Sequence, residues 1–378
     1  MILTEQQIMI RDTARAFAGE RLAPYATERE RKGVFPRDAM AEIAGLGFLG
    51  MLVPEAWGGV EADHVSYALA LEEIAVGDGG LAGAMSVHNS VACMPILTYG
   101  SEQQKERYLR PLAKGEMLGA FCLTEPHAGS DASNLKTLAR RSGNGYVLEG
   151  TKQFVTMGAT ADVAIVFAVT DPAAGKRGIS AFIVPMDSAG FEVARIEDKL
   201  GQRHIDAAQI RLNDVTLPGD CLLGQEGEGY KIALANLEGG RIGIAAQALG
   251  IARAAYEAAR TYARERESFG SKLIEHQAIA FKLADMATAL EAGRLLIHHA
   301  AELRDARRPC LKEASMAKLF TTEAAETICS EAIQIHGGNG YTEDYPVARY
   351  FRDVRVCKIY EGASEIQRMV IGRALAAE

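Results

Sequence analysis

The sequence predicts an α+β protein in which a β region lies between two helical regions. Helical patterning continues, with breaks, to about residue 118, and it returns from about residue 227. Between them lie short segments rich in β-branched and aromatic residues, without alternating helices, which argues against a doubly wound parallel sheet. We expect an N-terminal α-helical domain at 1–119, a middle antiparallel β domain at 120–226 and a C-terminal helical bundle at 227–378.

The composition is that of an average globular protein. The chain has 378 residues, 48% of them hydrophobic, and 41 Lys and Arg against 49 Asp and Glu give a net charge of −8. This slight acidity excludes a bulk binder of nucleic acid or of anionic membranes, since those need a dense basic face. No apolar run approaches the roughly 18 residues of a membrane span. The six cysteines show no paired spacing, so we expect free thiols and a cytoplasmic protein.

In the N-terminal region, the first helix is predicted to begin after Thr4, which has capping-box spacing with Gln7. Glycines and prolines between residues 45 and 59 predict a turn-rich interruption. Helical patterning resumes in SYALALEEIAV and in SEQQKERYLRPLAKGE. The segment 77–82 formally fits G-x-G-x-x-A, but no strand precedes it, so we do not expect a Rossmann site.

The middle region has the composition of strands. The segments GAFCLTE, GYVLEG, ADVAIVFAVT, GISAFIVPMD and AQIRLNDV are short and β-rich, and turn signals such as Gly143-Asn144-Gly145 separate them.

The C-terminal region carries a helical seam. Ile279, Leu283, Met286, Leu290, Gly293 and Ile297 recur at spacings of 4, 3, 4, 3 and 4. This spacing predicts a bundle core or subunit interface rather than a ligand site. Adjacent His298 and His299 face different directions on a helix, and HExxH is absent, so no metal site is expected.

Three segments carry candidate chemistry. In the first, residues 121–131 leave a strand and enter a turn in which the hydroxyls of Thr124 and Ser130 could approach a flat, polar-edged ligand. A tight turn with satisfied side chains explains this segment equally well. In the second, Arg266 lies near a helix end that Gly270 is predicted to stop. Its guanidinium suits a pyrophosphate, but the spacing is explained equally well if Arg266 only balances the helix dipole.

The third segment is IYEGASEIQR at 359–368. Ser364 and Gln367 have capping-box spacing, which predicts that the last helix begins there. Glu361 then lies just outside the helix, beside Gly362, where a carboxylate can point into a cavity. From these residues alone, an ordinary surface glutamate is the default interpretation.

Together these segments resemble the acyl-CoA dehydrogenases. Seven segments, with these three among them, follow the family's order over nearly the whole chain: LVPEAWGG, CLTEPHAGSDAS, KLGQRHIDAAQI, GRIGIAAQALGIA, RERESFG…EHQ, QIHGGNGY and IYEGASEIQRMVI. The resemblance implies a C-terminal four-helix bundle, one FAD per subunit and a homotetramer.

The resemblance also implies which residues hold the cofactor. Next to the flavin it places residues of the first segment and of the following strand: Phe121, Leu123, Thr124, Gly129, Ser130, Phe154, Val155 and Thr156. Many family members have Trp at the position of Phe154, which reduces the stacking area here. A second set is implied to reach the FAD of a neighbouring subunit: Arg266, Ser268, Phe269, Gln277, Gln334, Gly337 and Gly338. Ala363 and Glu365 stand where members often have Thr and Gln near the FAD.

On the substrate side, the resemblance implies that acyl-CoA contacts Ser130, Glu238, Arg241, Tyr360 and Gly362. Glu361 matches the family's catalytic base, which removes the α-proton while the β-hydride passes to flavin N5, giving a trans-2-enoyl-CoA. The electrons are then expected to pass to electron-transferring flavoprotein. Burial would raise the pKa of Glu361 and the following helix N-terminus would lower it.

Single positions distinguish branches of the family. Isovaleryl- and long-chain members place the base where this chain has Gly240, and glutaryl-CoA dehydrogenases place an Arg where it has Ala82. Ile205 and Ala207 replace the usual Ser and Thr. Because SVHNS at 86–90 and GRIGIAAQALGIA resemble the short-chain and short branched-chain branch most, we expect a short-chain acyl-CoA dehydrogenase. A 2-methylacyl-CoA dehydrogenase and a catalytically silent flavoprotein scaffold remain alternatives.

Overall fold

The structure, a computed structural model, describes residues 2–378. Helices extend to Ala113, strands occupy the chain between Gly119 and Leu223, and helices resume at Gly229. This is the predicted order of secondary structure, and the α+β fold class is confirmed.

The N-terminal region is built from short helices joined by π-helical and 3-10 turns. The predicted capping box is confirmed, because the Gln7 N–H donates to the Thr4 hydroxyl and the Thr4 N–H donates to the Gln7 side-chain oxygen. The segment with the G-x-G-x-x-A pattern joins two helices through Asp78, which is the N-cap residue of the second helix, and no strand precedes it among the described residues. The helices are α1 Glu5–Phe17, α2 Ala26–Lys32, α3 Arg37–Gly45, α4 His64–Gly77, α5 Gly79–Val87, α6 Met94–Tyr99, α7 Glu102–Gln104 and α8 Arg110–Ala113.

The middle region is one sheet with the strand order β6-β7-β3-β2-β4-β5-β8, and β1 lies beside β4. Most neighbours are antiparallel, as predicted. Two neighbouring pairs differ from the expected antiparallel domain, because β1 and β2 each pair with β4 in parallel. Strand β1 enters from the helical region and not through a hairpin. The strands are β1 Gly119–Cys122, β2 Leu138–Ser142, β3 Gly145–Thr156, β4 Val163–Val169, β5 Ile179–Pro185, β6 Phe191–Ile196, β7 Ala207–Leu217 and β8 Leu222–Leu223.

Both faces of the central strands are covered. Val163, Ile165 and Phe167 of β4 pack in a core shared with the N-terminal helices and the start of α9, whereas Ala164 and Val166 pack in a core formed by the sheet itself. This alternation follows from the two-residue period of a strand.

The C-terminal region is a helical bundle in which α11 packs against α9, α10 and α13. The predicted seam is confirmed as core: its members from Leu283 to Ile297 are buried, and Ile279 packs against them. The elements are α9 Gly229–Glu265, the hairpin of β9 Glu267–Ser268 and β10 Ser271–Lys272, then α10 Gln277–Asp305, α11 Leu311–His336, α12 Val347–Val354 and α13 Ser364–Leu375.

One predicted helix end and one predicted helix cap are wrong. Helix α9 ends at Glu265, and Gly270, with φ of 80°, forms the turn of the β9–β10 hairpin, so it does not stop the helix. Helix α13 begins at Ser364, as predicted, but its N-cap residue is Ala363 and not Ser364. The Gln367 amide does not complete a capping box, because it donates to the Gly362 carbonyl at 2.7 Å.

Among residues 2–378, no helix is both long and apolar enough to span a membrane. All six cysteines are buried free thiols.

Gly250 provides a test of the packing between α9 and α4. A Cβ at this position would lie 2.2 Å from the Glu72 carbonyl oxygen and 2.6 Å from Ala75 Cβ. We predict that Gly250→Ala lowers the free energy of unfolding by about 1–3 kcal/mol, because the helices must separate. Denaturant unfolding followed by circular dichroism measures the change.

The matched control is Gly372→Ala in α13, where a Cβ would meet nothing within 4 Å. This substitution should raise the free energy of unfolding by roughly 0.5–1 kcal/mol, since alanine favours the helix. Equal effects of the two substitutions would contradict the close approach at Gly250.

Candidate functional site

Glu361 lies in the loop that precedes α13. Its backbone has φ of 51°, in the left-handed region that non-glycine residues seldom adopt, and Gly362 follows with φ of 91°. Both carboxylate oxygens are buried, and neither has a hydrogen-bond partner among the residues that the structure describes. Burying a carboxylate without partners is costly, so such a group marks a candidate functional site.

Helix α9 leaves room for this carboxylate only because residue 240 is glycine. A Cβ at Gly240 would lie 1.9 Å from the Glu361 Oε2 atom. One turn further along α9, a Cβ at Gly243 would lie 2.3 Å from Ser86 Oγ and 3.1 Å from the Tyr67 hydroxyl. A short strip of bare helix, in which Gly240 and Gly243 carry no side chain, therefore lies beside Glu361 and ends at side chains of α4 and α5.

Two buried cations face Glu361, namely Arg241 of α9, 6% exposed, and Lys318 of α11, 1% exposed. Burial raises the pKa of Glu361 to about 7, and the charges of Lys318 and Arg241 oppose this rise. Burial also lowers the pKa of Lys318 to about 8. Burial therefore outweighs the two opposing charges, and the carboxylate can gain or lose a proton near neutral pH.

The other residues assigned to the substrate lie near Glu361, with one exception. Tyr360 precedes it and donates its hydroxyl hydrogen to the Gln247 side-chain oxygen. Arg241 donates to the Ser315 hydroxyl at 3.1 Å. Glu238, one turn before Arg241 on α9, accepts a hydrogen bond from Arg304 at 3.4 Å. The exception is Ser130, which is exposed on the loop after β1.

That loop, residues 121–131, is fastened to β3 by backbone and side-chain hydrogen bonds. The Gln153 N–H donates to the Thr124 carbonyl at 2.8 Å. Lys152 donates to the Leu123 carbonyl at 3.1 Å and to the Glu125 carboxylate at 2.8 Å. Glu125 and Lys152 are almost fully buried. No motif in the sequence predicts this ion pair, and its one local signal is a lysine within a β-rich segment.

The loop and β3 together present a surface that fits a flavin. Thr124 and Thr156 are half-buried with hydroxyls, Phe154 is 64% exposed, and at Gly129 a Cβ would meet nothing within 4 Å. Hydroxyls and an exposed aromatic ring suit the polar edge and flat face of an isoalloxazine.

Three of the residues assigned to the flavin turn their side chains inward. Leu123 and Val155 are buried in the sheet cores, and Phe121 packs its ring edge-on against Phe167. They can meet a ligand mainly through their backbone.

The residues assigned to a neighbour's cofactor form a separate, exposed group. Phe269 at the hairpin turn is 98% exposed, and the hairpin is held by His276, whose ring nitrogen contacts the Ser268 carbonyl at 3.0 Å. Among the described residues, this group has no hydrogen bond to Glu361 or to the loop after β1. Its other exposed members are Arg266, Gln277, Gln334, Gly337 and Gly338.

The last two assigned residues flank the start of α13. Ala363 is half-buried as the N-cap residue, and the side chain of Glu365 is 79% exposed. Glu365 therefore faces solvent in the single chain.

Lys318 was also missed by the sequence analysis. It lies on the buried face of α11, between Ala314 and Thr322. A lysine at a core position of a helical pattern is the signal that could have identified it.

Each of the three regions of the chain matches one domain of a known protein family. Residues 4–116 match the acyl-CoA dehydrogenase N-terminal domain, residues 120–215 the middle domain and residues 227–376 the C-terminal domain. The matched segments together span most of the chain.

Individual relatives are similar over their whole length. An acyl-CoA dehydrogenase of Bacillus subtilis (strain 168) is 48% identical over 375 residues, which are 99% of both chains. The structure of butyryl-CoA dehydrogenase from Megasphaera elsdenii has a TM-score of 0.98 and 43% identity, and the match covers 100% of this chain and 99% of that one. The caffeyl-CoA reductase–Etf complex subunit CarC of Acetobacterium woodii is 43% identical over 99% of both chains.

These matches confirm the family predicted from the seven sequence segments. FAD is the cofactor of that family, so the predicted cofactor is confirmed as well. With three matching domains and relatives above 40% identity over the full length, the chain belongs to the acyl-CoA dehydrogenase family.

Proposed function

We propose that this protein oxidises short-chain acyl-CoA thioesters to trans-2-enoyl-CoA, and that Glu361 is the base that removes the α-proton. The observation that carries the proposal is the buried, unpartnered carboxylate of Glu361 beside the bare helix at Gly240. Its pKa of about 7 suits a base that must accept a proton at neutral pH and release it after the reaction.

The residues around Glu361 divide the work of proton removal. Arg241 and Lys318 favour the ionised carboxylate, which is the form that accepts a proton. The buried surroundings keep water from competing for the α-proton. FAD, held by the loop after β1 and by β3, would supply the acceptor for the hydride of the β-carbon, so that the double bond can form as the α-proton passes to Glu361.

The strip of bare helix beside Glu361 supports a short acyl chain. Gly240 and Gly243 are three residues apart, which is about 4.5 Å along a helix. Ser86 and Tyr67 already cover α9 at Gly243. A relative of known structure, the Megasphaera elsdenii protein, is a butyryl-CoA dehydrogenase, which agrees with this restricted space.

Two kinds of partner follow from the same assignment. Electron-transferring flavoprotein is the proposed electron acceptor, since a relative is a subunit of an Etf complex. A homotetramer is the proposed assembly, in which Arg266 reaches a neighbour's cofactor. Phe269 at 98% and Tyr341 at 90% exposure support burial of this surface against another subunit.

Glu361→Gln tests the base directly. The amide keeps the shape of the side chain but cannot accept the α-proton, so reduction of the bound flavin by butyryl-CoA should slow by at least ~10³-fold. The protein should still fold, bind FAD and bind the thioester. Stopped-flow absorbance of the oxidised flavin measures the rate, and rapid reduction in the native protein would eliminate the silent scaffold.

Glu365→Gln is the matched control, because this glutamate is four residues away and its side chain is 79% exposed. It should keep most of the native rate. A dead Glu365→Gln or a fully active Glu361→Gln would show that the base is assigned to the wrong residue.

The rate of flavin reduction should rise as the pH increases through about 7, the pKa to which burial raises Glu361. Below this pH the carboxylate is protonated in the folded protein and cannot act as a base. A series of stopped-flow measurements at subsaturating butyryl-CoA, which report on the free enzyme, determines the midpoint. A rate that is constant across the neutral range would contradict the proposed titration, and Glu365→Gln should show the native midpoint.

Chain-length preference tests the restricted acyl site. We predict that kcat/KM is highest for straight or 2-methyl-branched chains of about four to six carbons, because Ser86 and Tyr67 cover α9 one helical turn beyond Gly240 and a longer chain would meet them. Steady-state assays with a panel of straight and branched acyl-CoAs measure it. A maximum at ten or more carbons would overturn the short-chain assignment.

A further inference from the structure

We propose that Lys318 is a positioning residue: it holds the loop that carries Glu361 in its left-handed conformation and supplies the charge that keeps the carboxylate ionised. This inference rests on the proposed role of Glu361 as the base.

The loop is attached to α11 on both sides of Glu361. The Lys318 ammonium donates to the Tyr360 carbonyl at 2.9 Å and to the Gly362 carbonyl at 2.7 Å. Both carbonyls are thereby turned toward α11, while the Glu361 carboxylate lies against Gly240 of α9. A non-glycine residue with φ of 51° persists only where its surroundings hold it, and these two hydrogen bonds do so.

Two neighbouring residues each perform one half of this role. The Gln367 amide donates to the same Gly362 carbonyl at 2.7 Å, but it carries no charge. Arg241 carries a charge that favours the ionised carboxylate, but its hydrogen bond goes to Ser315 and not to the loop. Of these three side chains, Lys318 alone combines the loop contact with the charge.

The position of Lys318 is an unfavourable one for a residue that serves the fold alone. It is 1% exposed on the core face of α11, where burial disfavours its charged form. The charge of Glu361 opposes this effect, so the two groups stabilise each other's ionised forms.

Few other groups can contribute to titration at this place. Arg241 on α9, Tyr67 on α4 and Tyr360 in the loop face Glu361, and Cys357 faces Lys318. Burial raises the pKa values of both tyrosines and of Cys357, so they remain neutral near pH 7, and Arg241 remains charged. A shift in the pH midpoint of flavin reduction near pH 7 therefore reports on the Lys318–Glu361 pair.

The test compares Lys318→Met with Lys318→Gln in the FAD-loaded enzyme. Lys318→Met removes both the donor and the charge, so flavin reduction by butyryl-CoA should slow by about 10²-fold, as expected for a misplaced reactive group. The pH at which the rate of flavin reduction is half its maximum should rise by about one unit or more, because the charge that favours ionised Glu361 is lost. Lys318→Gln keeps an N–H donor without the charge, and it should recover part of the rate at high pH while the midpoint stays shifted.

The control is Lys312→Met on the same helix, whose partly exposed lysine pairs with Glu378 and Glu313. Its rate and midpoint should be those of the native enzyme. A native midpoint in both Lys318 variants would overturn the proposed charge effect, and a native rate in Lys318→Met would overturn the positioning effect.

A second measurement does not depend on turnover. Infrared difference spectra between each enzyme and its Glu361→Gln counterpart report the protonated carboxyl of Glu361 as a function of pH, without substrate. The pH midpoint of Glu361 protonation should be higher in Lys318→Met than in the native enzyme. If Lys318→Met does not fold, the same rise should appear in Lys318→Gln. An unchanged midpoint would refute the inference. If the native enzyme fails to reduce its flavin with any acyl-CoA, the proposed function fails, whereas this titration still decides the role of Lys318.

Discussion

The structure around the candidate site depends on one constraint, which is the burial of the Glu361 carboxylate against helix α9 without a hydrogen-bond partner. Residue 240 must be glycine, because a Cβ there would lie 1.9 Å from the Glu361 Oε2 atom. The loop must adopt a left-handed conformation at Glu361, so it needs the bonds from Lys318 and Gln367. Each of these features costs stability when considered alone, and each is explained by the placement of the carboxylate.

Burial and the two nearby cations have opposite effects on the charge of Glu361, and neither cation forms a hydrogen bond with its carboxylate. Burial disfavours the ionised form of Glu361, whereas Lys318 and Arg241 favour it, and the pKa settles at about 7. A direct salt bridge would hold the carboxylate ionised and make it a weaker base. The cations therefore act from places where they bond to the loop carbonyls or to Ser315, and the carboxylate oxygens remain free for a substrate.

The sheet and the bundle contribute different parts of the proposed reaction. The loop after β1 is held to β3 by the buried Glu125–Lys152 pair and carries the hydroxyls assigned to the flavin. Glu361 belongs to the bundle, where α9 and α11 fix its position. A proton and a hydride leave adjacent carbons of the same substrate, so the groups that accept them must be held rigidly by elements that can approach from different sides.

The sequence by itself determined the order of helical and β regions, the cap of α1 and the seam of α10, and the resemblance of seven segments to a known family made Glu361 a candidate base. These features rest on local periods, turn residues and short motifs that neighbouring residues in the chain express. Only the tertiary structure decided the direction of the Glu361 pKa shift, the burial and contacts of Lys318 and of the Glu125–Lys152 pair, and the parallel pairing of β1 and β2 with β4. It also replaced Ser364 by Ala363 as the cap of α13, since the Gln367 amide bonds to the preceding loop. Burial and charge pairing are set by segments far apart in the chain, such as α9, α11 and the loop at 360–362, and no local pattern records which of them will meet.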